Sequence, residues 1–249
     1  MIQKLILPVV VVVLFSSHTH AVPVAGENLV ISGPQAEAVA AGLEIADQGG
    51  NVIDVAVAVA LALSVTNPNN ASLGGGGFAM IRMKGETLVL DFRETAPAAT
   101  NEKTYLAPGA SSENGGLAVG TPGIPAGLVA LHEKFGSRPW KSLFVPALRL
   151  AEKGFRVTRD WSDTVAEESS RFNQASREIF LKKDSPFAAS EIHRQPRLLK
   201  ALQLFQAKKA AGFYAGPVAR DLAATVQKNG GVLTVQDLER YRVRWLTPL

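Results

Sequence analysis

The stretch from Val52 to Val65, VIDVAVAVALALSV, is apolar around its whole circumference when wound as a helix, interrupted only by Asp54 and Ser64. A surface helix carries one greasy stripe, whereas a helix greasy on every side has to be enclosed by the rest of the chain. Fourteen residues are too few to cross the roughly 30 Å hydrocarbon core of a bilayer, so a protein interior is predicted. Each Val or Leu contributes about 1.5 to 3 kcal/mol on burial, which places this segment at the centre of the fold. Asn51 stands where it can cap the first turn. Any fold open to the chain must build a shell around 52–65.

The rest of the sequence offers that shell. Ser32, with Gln35 three residues on and Pro34 in the first turn, predicts an amphipathic helix over 34–48, ended by Gly49 and Gly50. Thr66 to Gly77 (TNPNNASLGGGG) breaks the pattern with turn formers. Phe78–Met83 and Thr87–Phe92, separated by Lys84 and Gly85, then read as a β-hairpin. Helical runs follow at Pro125–Phe135, Trp140–Lys153, Arg197–Lys209 and Gly216–Asn229, three of them closed by glycine. Thr234 and Asp237 form a capping pair before a short run to Tyr241. Helices outnumber strands, and no repeat or linker tract divides the chain, so one α+β unit is expected. At Trp245 to Leu249 no helical closure marks an end, and the chain reads as cut within an element.

The first residues have another character. Lys4 precedes eleven apolar residues, Leu5 to Phe15, and Ser16 to Ala21 form a small polar stretch with a loose peptidase site. This reads as an export signal over 1–21, leaving 22–249 as the mature part; as a helix the apolar run covers about 16 Å, too short for a membrane span. Export without a single Cys leaves stability to the core, in a periplasm or the medium. Lys plus Arg number 26 against 22 acids, a net +4 scattered along the chain, which argues against nucleic acid or an anionic membrane as partner.

Chemistry is sparse. Gly74 to Gly77 permit close backbone approach, but Phe78 opens a strand where a phosphate loop would need Lys, Ser or Thr and a helix, so nucleotide binding is discounted. Arg93, in Asp91-Phe92-Arg93-Glu94, sits where an apolar strand meets the loop Thr95-Ala96-Pro97. A guanidinium there offers a fork for a carboxylate; its partner is either a substrate or, as for most Arg residues, an internal acid, here Asp91 or Glu94. There is no Gly-x-Ser-x-Gly elbow and no His-Glu-x-x-His, and no cofactor or metal is called for. His132 and His193 read as surface or core fillers, and His18 and His20 fall in the signal region.

The blocks GGNVIDVAVAVALALSVTNP, LGGGGFAMI, LDFRETAP, AVGTPGIPAGL, LAEKGFRV and GGVLTVQDLERY, in that order, resemble the N-terminal part of the large subunit of γ-glutamyltransferases, also called γ-glutamyltranspeptidases or glutathione hydrolases. The resemblance runs from about Ser32 to the end. It implies an N-terminal-nucleophile hydrolase, an α/β/β/α sandwich of which this is an incomplete, helix-rich portion. It also implies an exported proenzyme that cuts itself in two and transfers the γ-glutamyl group of glutathione and related amides to water, amino acids or peptides. Carried over by position, Arg93 is the residue that grips the substrate α-carboxylate, which favours a substrate over an internal acid as its partner. The glycine run becomes a structural loop behind the site.

The same resemblance places the nucleophilic Thr, whose freed α-amine serves as base, beyond Leu249, in a small subunit made from the same precursor. No catalytic residue is then expected within this chain, only the substrate-binding Arg93. Alone the chain is expected to be inactive and to leave apolar faces uncovered. Two alternatives stand beside this reading: an acylase of the same fold acting on cephalosporins, glutaryl groups or polyglutamate, and an exported non-catalytic carboxylate binder.

Overall fold

The computed structural model describes residues 26–107 and 109–248, so the export signal expected over 1–21 lies outside the described residues. Residues 31–249 form one unit. Its centre is the helix foreseen from its all-round apolarity. That helix, α2 (Val52–Thr66), follows α1 (Ala36–Asp47), and Ile53, Val55, Val57, Leu61 and Val65 are all buried. Asn51 Oδ1 accepts from the amides of Ile53 and Asp54, while an Asp54 carboxylate oxygen accepts from the Asn51 amide, a closed capping box.

The start of α1 differs from expectation. Gln35, not Ser32, is the N-cap, and its carbonyl accepts from Ala38 and Val39, both at 3.1 Å. Pro34 therefore precedes the helix instead of opening it.

The hairpin follows as β1 (Phe78–Met83) and β2 (Glu86–Asp91), antiparallel with Met83 opposite Glu86. Lys84 and Gly85 both hold positive φ, 51° and 84°, the combination that a two-residue turn needs to match strand twist. After α3 (Glu102–Leu106) comes α4 (Ile124–Phe135), then a 3₁₀ turn Trp140–Phe144 leading into α5 (Val145–Lys153). The sequence pattern predicts a single helix over 140–153. Pro146 has no N–H for the Ser142 carbonyl, which takes the Val145 amide instead, so a tight turn replaces the α-ladder there.

Small pieces follow: β3 (Phe155–Arg156), α6 (Arg159–Glu168), α7 (Gln174–Phe180), β4 (Leu181–Lys182), β5 (Ser185–Pro186) and β6 (Ile192–His193). The helices α8 (Pro196–Lys208), α9 (Ala210–Tyr214), α10 (Gly216–Lys228) and α11 (Val235–Arg240) complete the shell. Helices α1, α4 and α5 pack on α2, and α5 leads on to α8. Trp140, Phe144 and Phe205 lock that side edge to face, with centroids 4.9 to 5.4 Å apart.

The segment 244–246, to which the sequence pattern assigns no element, is a strand. Arg244–Leu246 form β7, which pairs antiparallel with β2 and makes a three-stranded sheet in the order β1-β2-β7. The end of the described chain is thereby brought beside the end of β2, where Arg93 begins.

Candidate functional site

Strand β2 runs out of the core through Leu90 and Asp91, both buried, and Phe92 continues inward. Arg93 then turns outward, its side chain 59% exposed. The backbone beneath it is held on every side. Phe92 exchanges both backbone hydrogen bonds with Gly77, at 2.9 and 3.2 Å, and Thr95 exchanges both with Thr121 at 3.3 and 2.7 Å. The Arg93 amide donates to Asp91 Oδ1 at 2.9 Å, and Tyr241 Oη donates to the Arg93 carbonyl at 2.7 Å.

Glycines let this segment sit where it does. A Cβ on Gly76 would stand 2.5 Å from the Glu94 nitrogen and 2.7 Å from the Phe92 carbonyl oxygen, and one on Gly127 would stand 2.5 Å from the Phe92 ring. The Gly-rich run thus serves as a packing surface for 92–94.

The internal acids leave the Arg93 fork open. Asp91 gives one oxygen to the Arg93 backbone and pairs the other with Arg244 on β7. The Arg93 amide, chiefly, and the Arg244 guanidinium hold the Asp91 carboxyl below the usual carboxylate range, against the effect of burial. Glu94 comes no closer to the Arg93 guanidinium than 3.6 Å, at Nε. Among the described residues the terminal nitrogens of Arg93 make no hydrogen bond. A planar, outward-facing fork on a pinned backbone can take a carboxylate in bidentate fashion.

Tyr241 is buried and stacks on Tyr214, ring centroids 5.7 Å apart with 2° between the planes. Tyr214 Oη donates to the Pro122 carbonyl and accepts from the Ala126 amide, which ties the pair to the start of α4. Burial, then the charges of Asp91 and Glu94, push the Tyr241 hydroxyl up to about 12, so it stays protonated and keeps its donor role.

Of the other residues singled out, His132 sets Nε2 2.8 Å from the Arg138 carbonyl and packs on Trp140. His193 is buried among Phe155, Trp161, Phe180 and Phe187. Both fill the core. Among the described residues no three His, Asp or Glu side chains stand close enough to hold a metal ion. No described helix is long and apolar enough to cross a membrane.

The γ-glutamyltranspeptidase family profile matches residues 38–249. The chain belongs to the γ-glutamyltranspeptidase family. A glutathione hydrolase proenzyme of Pseudomonas sp. (strain A14) is 38% identical over 95% of this chain, which spans 43% of that relative. The crystal structure of Helicobacter pylori γ-glutamyltranspeptidase superposes with a TM-score of 0.87 at 34% identity, covering 91% of this chain and 68% of that one. A cephalosporin acylase from Bacillus halodurans gives 0.80 at 30% identity, over 85% of this chain and 42% of that one. The fold is therefore the N-terminal-nucleophile hydrolase architecture of γ-glutamyltranspeptidases and related acylases, of which this chain forms a helix-rich portion. The chain spans less than half the length of the glutathione hydrolase proenzyme it matches.

Sequence reasoning picks out Arg93 and misses its supports. Tyr241 and Arg244 lie 148 and 153 positions from the residues they hold, and no motif joins them. The alternation of Arg242, Val243, Arg244 and Trp245 is a strand signal that would have placed β7.

Proposed function

We propose that this chain supplies the carboxylate anchor of a γ-glutamyl-transferring enzyme, with Arg93 binding the α-carboxylate of glutathione and other γ-glutamyl compounds. The observation that carries the reading is the open fork of Arg93: Asp91 is engaged elsewhere, Glu94 comes no closer than 3.6 Å, and its backbone is pinned from four directions. A rigid cation of this kind fixes the donor so that its γ-carbonyl sits at one place.

Bond breaking belongs to a C-terminal segment of the same precursor, in line with relatives named proenzymes and more than twice as long as the part matched. That segment brings the nucleophilic Thr, whose hydroxyl takes the γ-glutamyl group from its amide and passes it to water, an amino acid or a peptide. Residues 1–21 act as an export signal, 22–249 as the partial large-subunit domain, and the working location is the periplasm or the medium.

The test is Arg93→Lys in the processed precursor. The charge stays and the fork is lost, so the KM for a γ-glutamyl anilide should rise about tenfold or more with kcat little changed. An unchanged KM would refute the assignment. A cephalosporin acylase of the same fold favours a second reading, an acylase taking a glutaryl-type group. Turnover of a glutaryl amide faster than the γ-glutamyl amide would decide for it.

A further inference from the structure

We infer that Tyr241 is a positioning residue for substrate recognition: by donating to the Arg93 carbonyl, it sets the direction in which the Arg93 guanidinium leaves the backbone. This deepens the anchor reading of Arg93 and rests on it.

Three observations carry the inference. Tyr241 Oη lies 2.7 Å from the Arg93 carbonyl oxygen, and the Arg93 amide on the other side of the same residue is taken by Asp91 Oδ1 at 2.9 Å. Both peptide planes flanking the Arg93 Cα are thus oriented by side chains, since neither bond belongs to the β1–β2 ladder. Secondly, Tyr241 cannot easily swing away: it is buried, stacked flat on Tyr214, and its hydroxyl sits against Gly123, where a Cβ would be 2.4 Å from it. Thirdly, Asp91 is itself held by Arg244, three residues beyond Tyr241, so both clamps on Arg93 come from the segment 241–244.

A long, flexible side chain binds a carboxylate well only if its root does not move, because each free torsion of the backbone below it multiplies the positions the fork can take. Removing the Tyr241 hydroxyl leaves the Arg93 carbonyl without that donor and lets the peptide unit between Arg93 and Glu94 rotate. The substrate then meets a guanidinium whose charge is intact and whose orientation is spread.

The experiment is a double-mutant cycle with Tyr241→Phe and Arg93→Gln in the processed precursor, reading KM and kcat for a γ-glutamyl anilide. Amide hydrogen exchange at positions 93 and 94 is measured on the same variants, with or without turnover. Tyr241→Phe should raise KM about threefold to tenfold with kcat within about twofold, and should add nothing to KM in the Arg93→Gln background. The Glu94 amide, which belongs to the peptide unit that Tyr241 holds, should exchange about tenfold faster while the Arg93 amide, held by Asp91, and the α2 amides keep their rates. Unchanged exchange at Glu94, or a KM increase of the same size in the parent and Arg93→Gln backgrounds, overturns the positioning role. If Arg93→Gln itself leaves KM unchanged, it is the anchor reading that fails; faster exchange at Glu94 in Tyr241→Phe would still show the clamp.

Discussion

Gly123 lies so close to Phe92 that a Cβ on it would stand 1.8 Å from the Phe92 carbonyl oxygen. That oxygen also accepts from Gly77, so the strand leading to Arg93 has no room to yield. Gly123→Ala should therefore lower stability by about 3 kcal/mol and the thermal midpoint by about 6 to 12 °C. Gly33→Ala, whose Cβ would meet only Val39 Cγ2 at 3.5 Å, should stay within about 0.5 kcal/mol of the parent. Thermal melts of the two variants side by side check this; equal midpoints would contradict the packing argument.

Asp54 is buried in the first turn of α2 and accepts from the Asn51, Ser137 and Arg138 amides and from the Ser137 hydroxyl. All its neighbours donate. Asp54→Asn would turn an amide N–H toward them, leave donors unpaired and loosen the join between α2 and the loop after α4. A loss of about 3 kcal/mol is expected, read as a lower denaturation midpoint with an unchanged m-value.

His193 should make stability depend on acidity. Its ring centroid lies 4.8 Å from that of Phe187 and 5.2 Å from that of Trp161, and neither ring nitrogen has a partner among the described residues. Burial lowers its pKa from 6.5 to about 4. The folded protein thus keeps His193 neutral while the unfolded chain takes up a proton near pH 6.5, so falling pH favours unfolding. The contribution is complete above pH 6.5 and lost as pH falls to about 4, which amounts to about 2 kcal/mol between pH 7 and pH 5. Denaturant melts at pH 7 and pH 5 should show this loss in the parent chain and its removal in His193→Phe. The same pH slope in both would exclude His193 as the cause.

One face of the sheet is bare. Met80 is 75% exposed and Phe78 63%, and Met80, Val89 and Leu246 stand in register across the three strands. Directly opposed residues share a face, so these side chains form one apolar row. The chain expressed by itself should self-associate through this row, and Met80→Lys combined with Phe78→Lys should shift it toward the monomer. Sedimentation velocity at matched concentration measures the shift; a parent chain that stays monomeric would count against it.

The elements that proved legible share one property: their signals lie within a few residues. The all-round apolarity of 52–65, the Asn51 cap, the positive-φ turn at Lys84-Gly85 and the Thr234–Asp237 box each depend on neighbours one to four positions away. At 140–153, where reading and structure part, a backbone donor makes the difference. Pro146 has none to offer Ser142, and the helix expected over 140–153 divides there.

The residue order alone was enough to mark 52–65 as the core, 78–92 as a hairpin and Arg93 as the residue where its second strand meets a loop, because side-chain period and turn chemistry act locally. It held no sign of which acids would leave the Arg93 fork open, nor that a tyrosine 148 positions away would hold its carbonyl. Those facts arise when β7 joins β2 and α11 comes to rest against α9 and α10, since a hydrogen bond or ion pair between distant residues exists only once packing has brought them within about 3 Å. The chain carries Arg93; the fold sets where its guanidinium stands.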